Sequence, residues 1–462
     1  MMRRLLTGAG VFLLGCLLLR AQSFVRPAGG NEGADTAAQQ REAAPPSAEQ
    51  SPAPAAAKML TLAEAEAIAL KNNPQISVGR LEALVAQQNV RVARSAFFPT
   101  ATLNVTAVGA QEGSRIAAGF LTNPVLYDRA AAGVNVTALL TDFGRTANLT
   151  GSAEERAKAE DQNSAATRAQ ILLAVDQAFY STLEAEALLR VAQETQESRG
   201  LVAKKVSAMT DAKLKSDLDL SFANVDFSRA KLQVLEAEDS LQSSLATLSA
   251  ILGYPDLQQF ELVDDQAPVT VPPADVAPLI AEGLKQRPEI SALQHDFAAA
   301  QKFGHAEHDL ARPTVSALGT VGLAPVRANQ IESWYGAAGV NISVPIFDGF
   351  QFDARAKAAD FEAEASRQRL MNLQNNVARD VRISWQSSRN AYERLDVTKQ
   401  LSDQANLALR LAQSRYNLGL SSIIEFSQAE LDKTEADITD TDARYQYRLS
   451  QIVLDFTIGR KF

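Results

Sequence analysis

The residues of this chain best suited to chemistry are three histidines that lie close together: His295, His305 and His308, with Glu307 and Asp309 beside them. His305 and His308 are three apart and share a face on a helix, a spacing that a metal-binding pair would use. No HExxH pattern and no CxxC pair accompanies them, so spacing alone leaves a metal as the weaker reading. The stronger one is a polar helix end just before a strand at Pro313. No nucleophile motif, glycine-rich phosphate loop or carboxylate pair stands out elsewhere. The chain reads as a non-enzyme without cofactor or metal. With no nucleotide site and no buried charge relay, its energy must come from a partner.

The elements that would position such residues come in two copies. Gly133-Val134-Asn135-Val136-Thr137 aligns with Gly339-Val340-Asn341-Ile342-Ser343, an offset of 206 residues. The same offset pairs Ser216-Asp217-Leu218-Asp219-Leu220 with Ser422-Ile423-Ile424-Glu425-Phe426, and Gly253 with Gly459. Earlier in each copy, Leu70-Lys71-Asn72-Asn73-Pro74 aligns with Leu284-Lys285-Gln286-Arg287-Pro288, and Pro99-Thr100 with Pro313-Thr314, at an offset of 214. The two offsets differ by the length lost from one loop. A repeat this long is a duplicated half-structure, not a solenoid unit.

The chain has 462 residues and a net charge of −9, a balance that argues against nucleic acid as a partner. Hydrophobic residues make up 46% and aromatics only 6%, with alanine supplying much of the apolar share, which suits long, closely packed helices. Arg3-Arg4 followed by the apolar run Leu5 to Leu19 and Ala21 reads as a signal peptide over 1–21. The run is shorter than the ~20 residues that a spanning helix needs. Cys16, the sole cysteine, sits in Leu13-Leu14-Gly15-Cys16, which resembles the lipobox of bacterial lipoproteins. Lipid attachment at Cys16 and a plain signal cut near Ala21 both stay open. Residues 22–57 are Ala/Pro-rich without periodicity and read as a disordered leader. The remaining divisions are a first repeat over 58–259, a proline-rich linker over 260–278 and a second repeat over 279–462.

Helical patterning begins at Thr61, with Glu64 at the capping-box position, and runs past Pro74 to about Phe97. From Thr100 to Gly109 the period becomes two: Thr100, Thr102, Asn104 and Thr106 face one way, and Ala101, Leu103, Val105 and Ala107 the other. A second strand passes through Val134, Val136 and Ala138. The second copy repeats this from Pro313 to about Leu323 and from Trp334 to Ile346. Each hairpin is embedded in helix. Ile171, Val175, Ala178, Thr182, Ala185, Leu189 and Ala192 alternate spacings of four and three along a helix from Asp142 to about Ala208, the seam of a coiled coil. The counterpart runs from about Phe352 to Tyr416. A turn and a shorter return helix follow each; Ile424, Leu431, Ile438, Tyr445 and Ile452 form a strict heptad.

Strands with one apolar and one polar face, about ten residues long, match transmembrane β-strands. Four are too few to close, and open edges are not tolerated in lipid, so several subunits must share one barrel. Aromatics flank the strands: Phe97-Phe98, Phe143 and Phe347 at the helix-proximal ends, and Phe120, Tyr127 and Trp334-Tyr335 at the loop-proximal ends. An ordinary soluble sheet is the alternative, disfavoured because soluble hairpins are rarely inserted into helices this long.

On the twofold repeat, Ser343-Val344-Pro345-Ile346-Phe347-Asp348-Gly349 and Arg415-Tyr416-Asn417-Leu418-Gly419, residues 60–460 resemble the TolC-like outer membrane efflux proteins. The resemblance implies a mainly α fold whose long coiled-coil helices form an α-barrel tunnel across the periplasm. Four β-strands per subunit would contribute to a trimeric 12-stranded transmembrane barrel in outer membrane lipid. The implied partners are a periplasmic adaptor and an inner-membrane RND or ABC pump, and the implied role is passive export of drugs or toxic compounds. Type I protein secretion is the alternative, and a periplasmic coiled-coil scaffold the reading from another class.

The resemblance also implies site residues. A tyrosine latch before the turn glycine falls at Tyr416, with its aspartate partner at Asp219. An arginine that assists in the family falls at Ser421, so that contact is missing. An acidic ring falls at Glu425 and Gln428, keeping one carboxylate; without the resemblance, Glu425 reads as a solvated helix-face residue. Arg415, Asn417, Leu418 and Gly419 are the implied adaptor contacts, with Lys213 and Lys215 at the first turn, where lysines replace the usual glycine-containing turn.

Overall fold

The computed structural model describes residues 58–109, 129–264, 268–324 and 332–460. Cys16, the signal and leader segments, Phe120 and Tyr127 lie outside the described residues.

A short strand β1 (Lys58–Leu60) leads into α1 (Leu62–Asn72). Thr61 caps α1 through the expected box: its Oγ1 accepts the Glu64 amide at 3.4 Å, and Glu64 Oε2 accepts the Thr61 amide at 3.0 Å. Asn73 then ends one helix and starts the next. Its backbone is extended, its Oδ1 accepts the Gln75 amide at 2.9 Å, and Pro74 opens α2 (Pro74–Ser95) where a missing N–H costs nothing.

The chain continues through β2 (Thr100–Val108), β3 (Arg129–Thr141), α3 (Arg145–Asp211), α4 (Asp217–Ile251), β4 (Phe260–Leu262), α5 (Ala277–Gln286) and α6 (Pro288–His308). A single 3-10 turn, β5 (Thr314–Leu323), β6 (Trp334–Ser343), α7 (Gln351–Asn417) and α8 (Ile423–Thr457) complete it. Both long helices have 67 residues and both return helices 35, and each boundary of the second pair is the first plus the 206-residue offset. At 1.5 Å per residue the long helices reach about 100 Å. Among the described residues no helix is long and apolar enough to cross a membrane.

The four longer strands form one antiparallel sheet in the order β2-β3-β5-β6, leaving β2 and β6 as open edges. Registers Asn104↔Gly133, Gly133↔Gly322 and Gly322↔Tyr335 put these residues on one face, with Thr102, Thr106, Asn135, Thr320 and Asn341. Thr320 Oγ1 donates to Asn135 Oδ1 at 2.6 Å on that face. Leu103, Val105, Val134, Val136, Val321, Val340, Ile342 and Trp334 are exposed on the other. Trp334 and Tyr335 thus point to opposite faces, so of these two flanking aromatics only Trp334 stands on the apolar face. The Tyr335 ring lies instead across Gly133 and Gly322, where a Cβ at either glycine would collide with the hydroxyl. The fourth strand also ends at Ser343, three residues before the expected Ile346.

Strand passes to helix through two consecutive left-handed residues: Phe143 and Gly144 (φ 57° and 110°) before α3, Gly349 and Phe350 (φ 65° and 68°) before α7. A phenylalanine there costs about 1–2 kcal/mol. An aspartate offsets it in each copy. Asp142 accepts the Gly144 and Thr146 amides at 3.3 and 2.7 Å, and Asp348 the Phe350 and Phe352 amides at 3.1 and 2.6 Å.

One element was not foreseen. β1 and β4 pair in parallel, Leu60 opposite Leu262, joining the start of the first repeat to the start of the proline-rich linker. Leu60, Phe260 and Leu262 join a core with Val175, Phe179, Leu183, Leu245, Leu248 and Leu252.

Asp348→Ala should cost about 1 kcal/mol at the start of α7, as loss of a helix cap does. The Phe350 and Phe352 amides should then exchange with deuterium several-fold faster; unchanged exchange would show that the carboxylate does not hold the junction.

Candidate functional site

The two hairpin tips share one backbone plan. In the first, the Leu214 amide donates to Met209 O and the Lys213 amide to Thr210 O, both at 2.8 Å. In the second, Leu420 donates to Arg415 O at 2.8 Å and Gly419 to Tyr416 O at 3.1 Å. This is the Schellman arrangement, whose left-handed position suits glycine. Gly419 takes it at φ 73°; in the first tip Lys213 takes it at φ 60°. Leu214, Leu418 and Leu420 stand exposed at the ends.

The return helices start alike as well. Ser216 and Asp219 form a full capping box at α4, Asp219 Oδ2 accepting the Ser216 amide at 3.1 Å and its hydroxyl at 2.9 Å. Glu425 occupies the repeat-equivalent position of Asp219. Ser422 Oγ still accepts its amide at 3.3 Å, but the Glu425 carboxylate turns to Arg415, Nε to Oε1 3.2 Å. Gln428 donates to Asp432 Oδ1 at 2.7 Å, and the Ser421 hydroxyl is buried without a hydrogen-bond partner among the described residues.

Tyr416 is the centre of the tip. Its ring stacks on Phe426 at 5.4 Å and 8°, Lys215 Nζ sits 4.0 Å from the ring centroid, and Ala203, Val206, Ala223 and Ile423 pack with it. Both long helices and both return helices therefore contribute to the cluster around this side chain. Its hydroxyl is buried and makes no hydrogen bond. Burial first, and then the charge of Asp219, push the Tyr416 pKa up. The structure thus brings Tyr416 and Asp219 into electrostatic range without a bond between them. Asn417 Oδ1 accepts from Lys205 Nζ of α3 at 2.9 Å, tying the second tip to the first hairpin.

A polar layer that the sequence reading missed lies where α8 crosses α3 and α4. Arg199 is 4% exposed; its Nη2 reaches Thr434 Oγ1 and its Nη1 reaches Asp226 O, both at 3.4 Å. Ser427 donates to Asp226 Oδ2, and Glu430 is buried beside them. Burial drives the Glu430 pKa up to about 7; Arg199 opposes the rise and Asp226 adds to it. Farther along, Glu184 of α3 is raised to about 7 by burial and by its hydrogen bond and charge contact with Asp442 of α8. A signal for the layer existed, since Arg199 follows Ala192 by seven residues and so puts a charge on the helix seam.

The histidines separate. His295 Nδ1 pairs with Glu155 Oε2 at 2.8 Å, and His308 Nε2 with Asp360 at 3.1 Å. Burial would raise the Glu155 carboxyl, but hydrogen bonds from Lys302, His295 and Lys158 outweigh it and hold its pKa at about 2. Among the described residues no group of three or more His, Cys, Asp or Glu converges as a metal centre would require.

The described residues thus form two long-helix hairpins, each with a paired tip, carrying one two-faced sheet. The chain belongs to the outer membrane efflux protein family, whose profile matches residues 67–254 and 279–460. It is similar to the outer membrane protein TolC of Vibrio cholerae serotype O1, 24% identical over 421 residues, 86% of this chain and 90% of that one. The toluene efflux pump outer membrane protein TtgC of Pseudomonas putida is 23% identical over 84% of this chain and 80% of its own. A crystal structure of CusC superposes with a TM-score of 0.77 at 19% identity, covering 89% of this chain and 95% of that one.

Glu430 ties the tip to pH. An ordinary glutamate in the unfolded chain releases its proton near 4.5, whereas Glu430 keeps it to about 7. The contribution it makes to the α3–α8 seam is complete below pH 4.5 and lost as pH rises to 7, up to about 3.5 kcal/mol at about 1.4 kcal/mol per pKa unit. Exchange protection of α8 amides around Glu430, corrected for the intrinsic rate, should fall between about pH 4.5 and 7 and level off above. Glu430→Gln should remove that slope; a slope that survives the substitution assigns it elsewhere.

Proposed function

We propose that three copies of this chain form an outer membrane duct that passively passes small toxic compounds outward from an inner-membrane pump and its periplasmic adaptor. The carrying observation is the sheet: four strands with one polar and one apolar face, both edges unpaired, set on helices about 100 Å long. Lipid tolerates no unpaired strand edge, so the edges of one copy must meet those of others, and twelve strands give a lumen wide enough for solutes. The polar face, with Asn104, Asn135, Thr320 and Tyr335, lines that lumen, and the apolar face meets lipid. The toluene efflux role in the name of the TtgC relative supports small apolar compounds as cargo.

The tips close and dock. Tyr416, held by Phe426 and Lys215, is the latch residue, and the packing of its ring at the tip, within electrostatic range of Asp219, is what opening would disturb. Glu425 supplies one carboxylate per copy to the narrow end, with Gln428 and Ser421 beside it. Arg415 partly neutralises that charge. Exposed Leu418 with Arg415, Asn417 and Gly419, and Lys213 with Lys215, offer the surface on which adaptor helix tips seat.

In planar bilayers the purified protein should conduct ions and migrate on gels as a heat-dissociable trimer. Glu425→Gln should lower cation preference and relieve block by polyvalent cations, whereas Arg415→Ala should raise cation preference. A Glu425→Gln channel with unaltered selectivity would remove the carboxylate ring. A monomer that never conducts would remove the duct.

A further inference from the structure

The duplication predicts more than shape, because the seam between the two halves is visible inside one chain. There α3 of the first half packs on α6 of the second. The seam is polar. Glu155 pairs with His295 and Lys302, Ser152 Oγ donates to Ala299 O at 2.8 Å, and Asn148 Nδ2 donates to Asp309 Oδ2 at 2.9 Å. Arg312 Nη1 donates to Phe143 O at 2.9 Å. On α6 the stripe Ala292, Ala299 and Ala306 is buried.

Applying the two offsets carries the α6 and α3 positions of this seam to exposed positions on α2 and α7. Ala292, Ala299 and Ala306 become Val78, Val85 and Val92 of α2, which are 52%, 60% and 69% exposed. His295 becomes exposed Leu81. Across from them, Glu155 becomes Phe361, 75% exposed on α7. Gly144, whose missing side chain would point at Asp309 from 3.6 Å, becomes exposed Phe350, while Asp309 and Asn148 shrink to Ser95 and Ala354. Charge is replaced by apolar surface, and a large residue on one side is answered by small ones on the other. Ala83 and Gly79, the buried face of α2, already meet α3 of their own half, so the valine stripe is a separate face.

We infer that this valine stripe is the seat for α7 of a second copy of the chain, with Phe361 packing over Leu81 and Val85 and Phe350 filling the space beside Ser95. The inference rests on the assembly proposed above and specifies its seam. The seam inside each copy is closed by charge, and the seam between copies by burial of apolar surface. Because the two chemistries do not match, α7 cannot stand in for α3, and each hairpin is sorted to its own neighbour.

The test uses the full-length protein in detergent. Phe361→Glu places in the outer seam the residue found in the inner one, and because Phe361 is exposed within a single copy the fold of that copy should survive, as read by circular dichroism. The trimer should be lost or should dissociate at least 10-fold faster. Adding Leu81→His and Gln88→Lys rebuilds the pairing that Glu155 makes with His295 and Lys302, and should restore the trimer. Independently, Leu81→Cys and Phe361→Cys chains mixed before assembly should be joined by a short bis-maleimide into dimers that neither variant gives alone. A wild-type trimer whose lifetime Phe361→Glu leaves unchanged, with no 81–361 cross-link, would overturn the seam and leave the duct standing; detergent or lipid would then cover the stripe. A wild-type chain that stays monomeric would overturn both.

Discussion

Everything in this molecule follows from a row of backbone groups that one chain leaves unpaired. β2 and β6 each present a free edge, and in hydrocarbon an unbonded N–H or C=O costs several kcal/mol. No rearrangement within the chain can join those edges, since β3 and β5 already fill the middle of the sheet. Association is therefore a condition of the sheet's stability in a membrane. The helices inherit that condition. They leave the sheet through two equivalent aspartate-capped junctions, so each hairpin of strands passes directly into a long helix.

Much of this is legible in the residues because it is periodic. Thr100 to Val108 alternates by two, Ile171 to Ala192 alternates by three and four, and duplication lets each weak signal be checked against its copy. The long helices differ from expectation only at their ends. What escaped was either too short or too distant. β1 and β4 have three residues each, below the length at which alternation can be seen, and they pair across some two hundred positions. Tyr335 and Trp334 are both aromatic and adjacent in sequence; only the register shows that they stand on opposite faces.

The candidate gate was legible in kind and not in partnership. Tyr416, Asp219 and Glu425 stand at the hairpin tips, where Asp219 is engaged in a helix cap and Glu425 in an ion pair with Arg415. Such pairings depend on rotamers and on how closely two hairpins approach, which composition does not encode. The buried Arg199, Asp226 and Glu430 layer is of the same kind. A charge on a coiled-coil seam is visible as an anomaly, yet its answering groups come from helices more than twenty residues away along one branch and more than two hundred along the other. Burying them is costly unless the geometry is good, so the layer makes the α3–α8 contact a position-specific lock.

The strand-to-helix junctions carry a further lesson. Both copies turn through two left-handed residues, but one spells them Phe143-Gly144 and the other Gly349-Phe350. The backbone path needs only that both positions be left-handed and that an aspartate precede them. Transposing the two residues therefore moves an aromatic ring by one position along the chain and leaves the turn intact. A duplicated architecture can lose its symmetry in this way without passing through a misfolded intermediate.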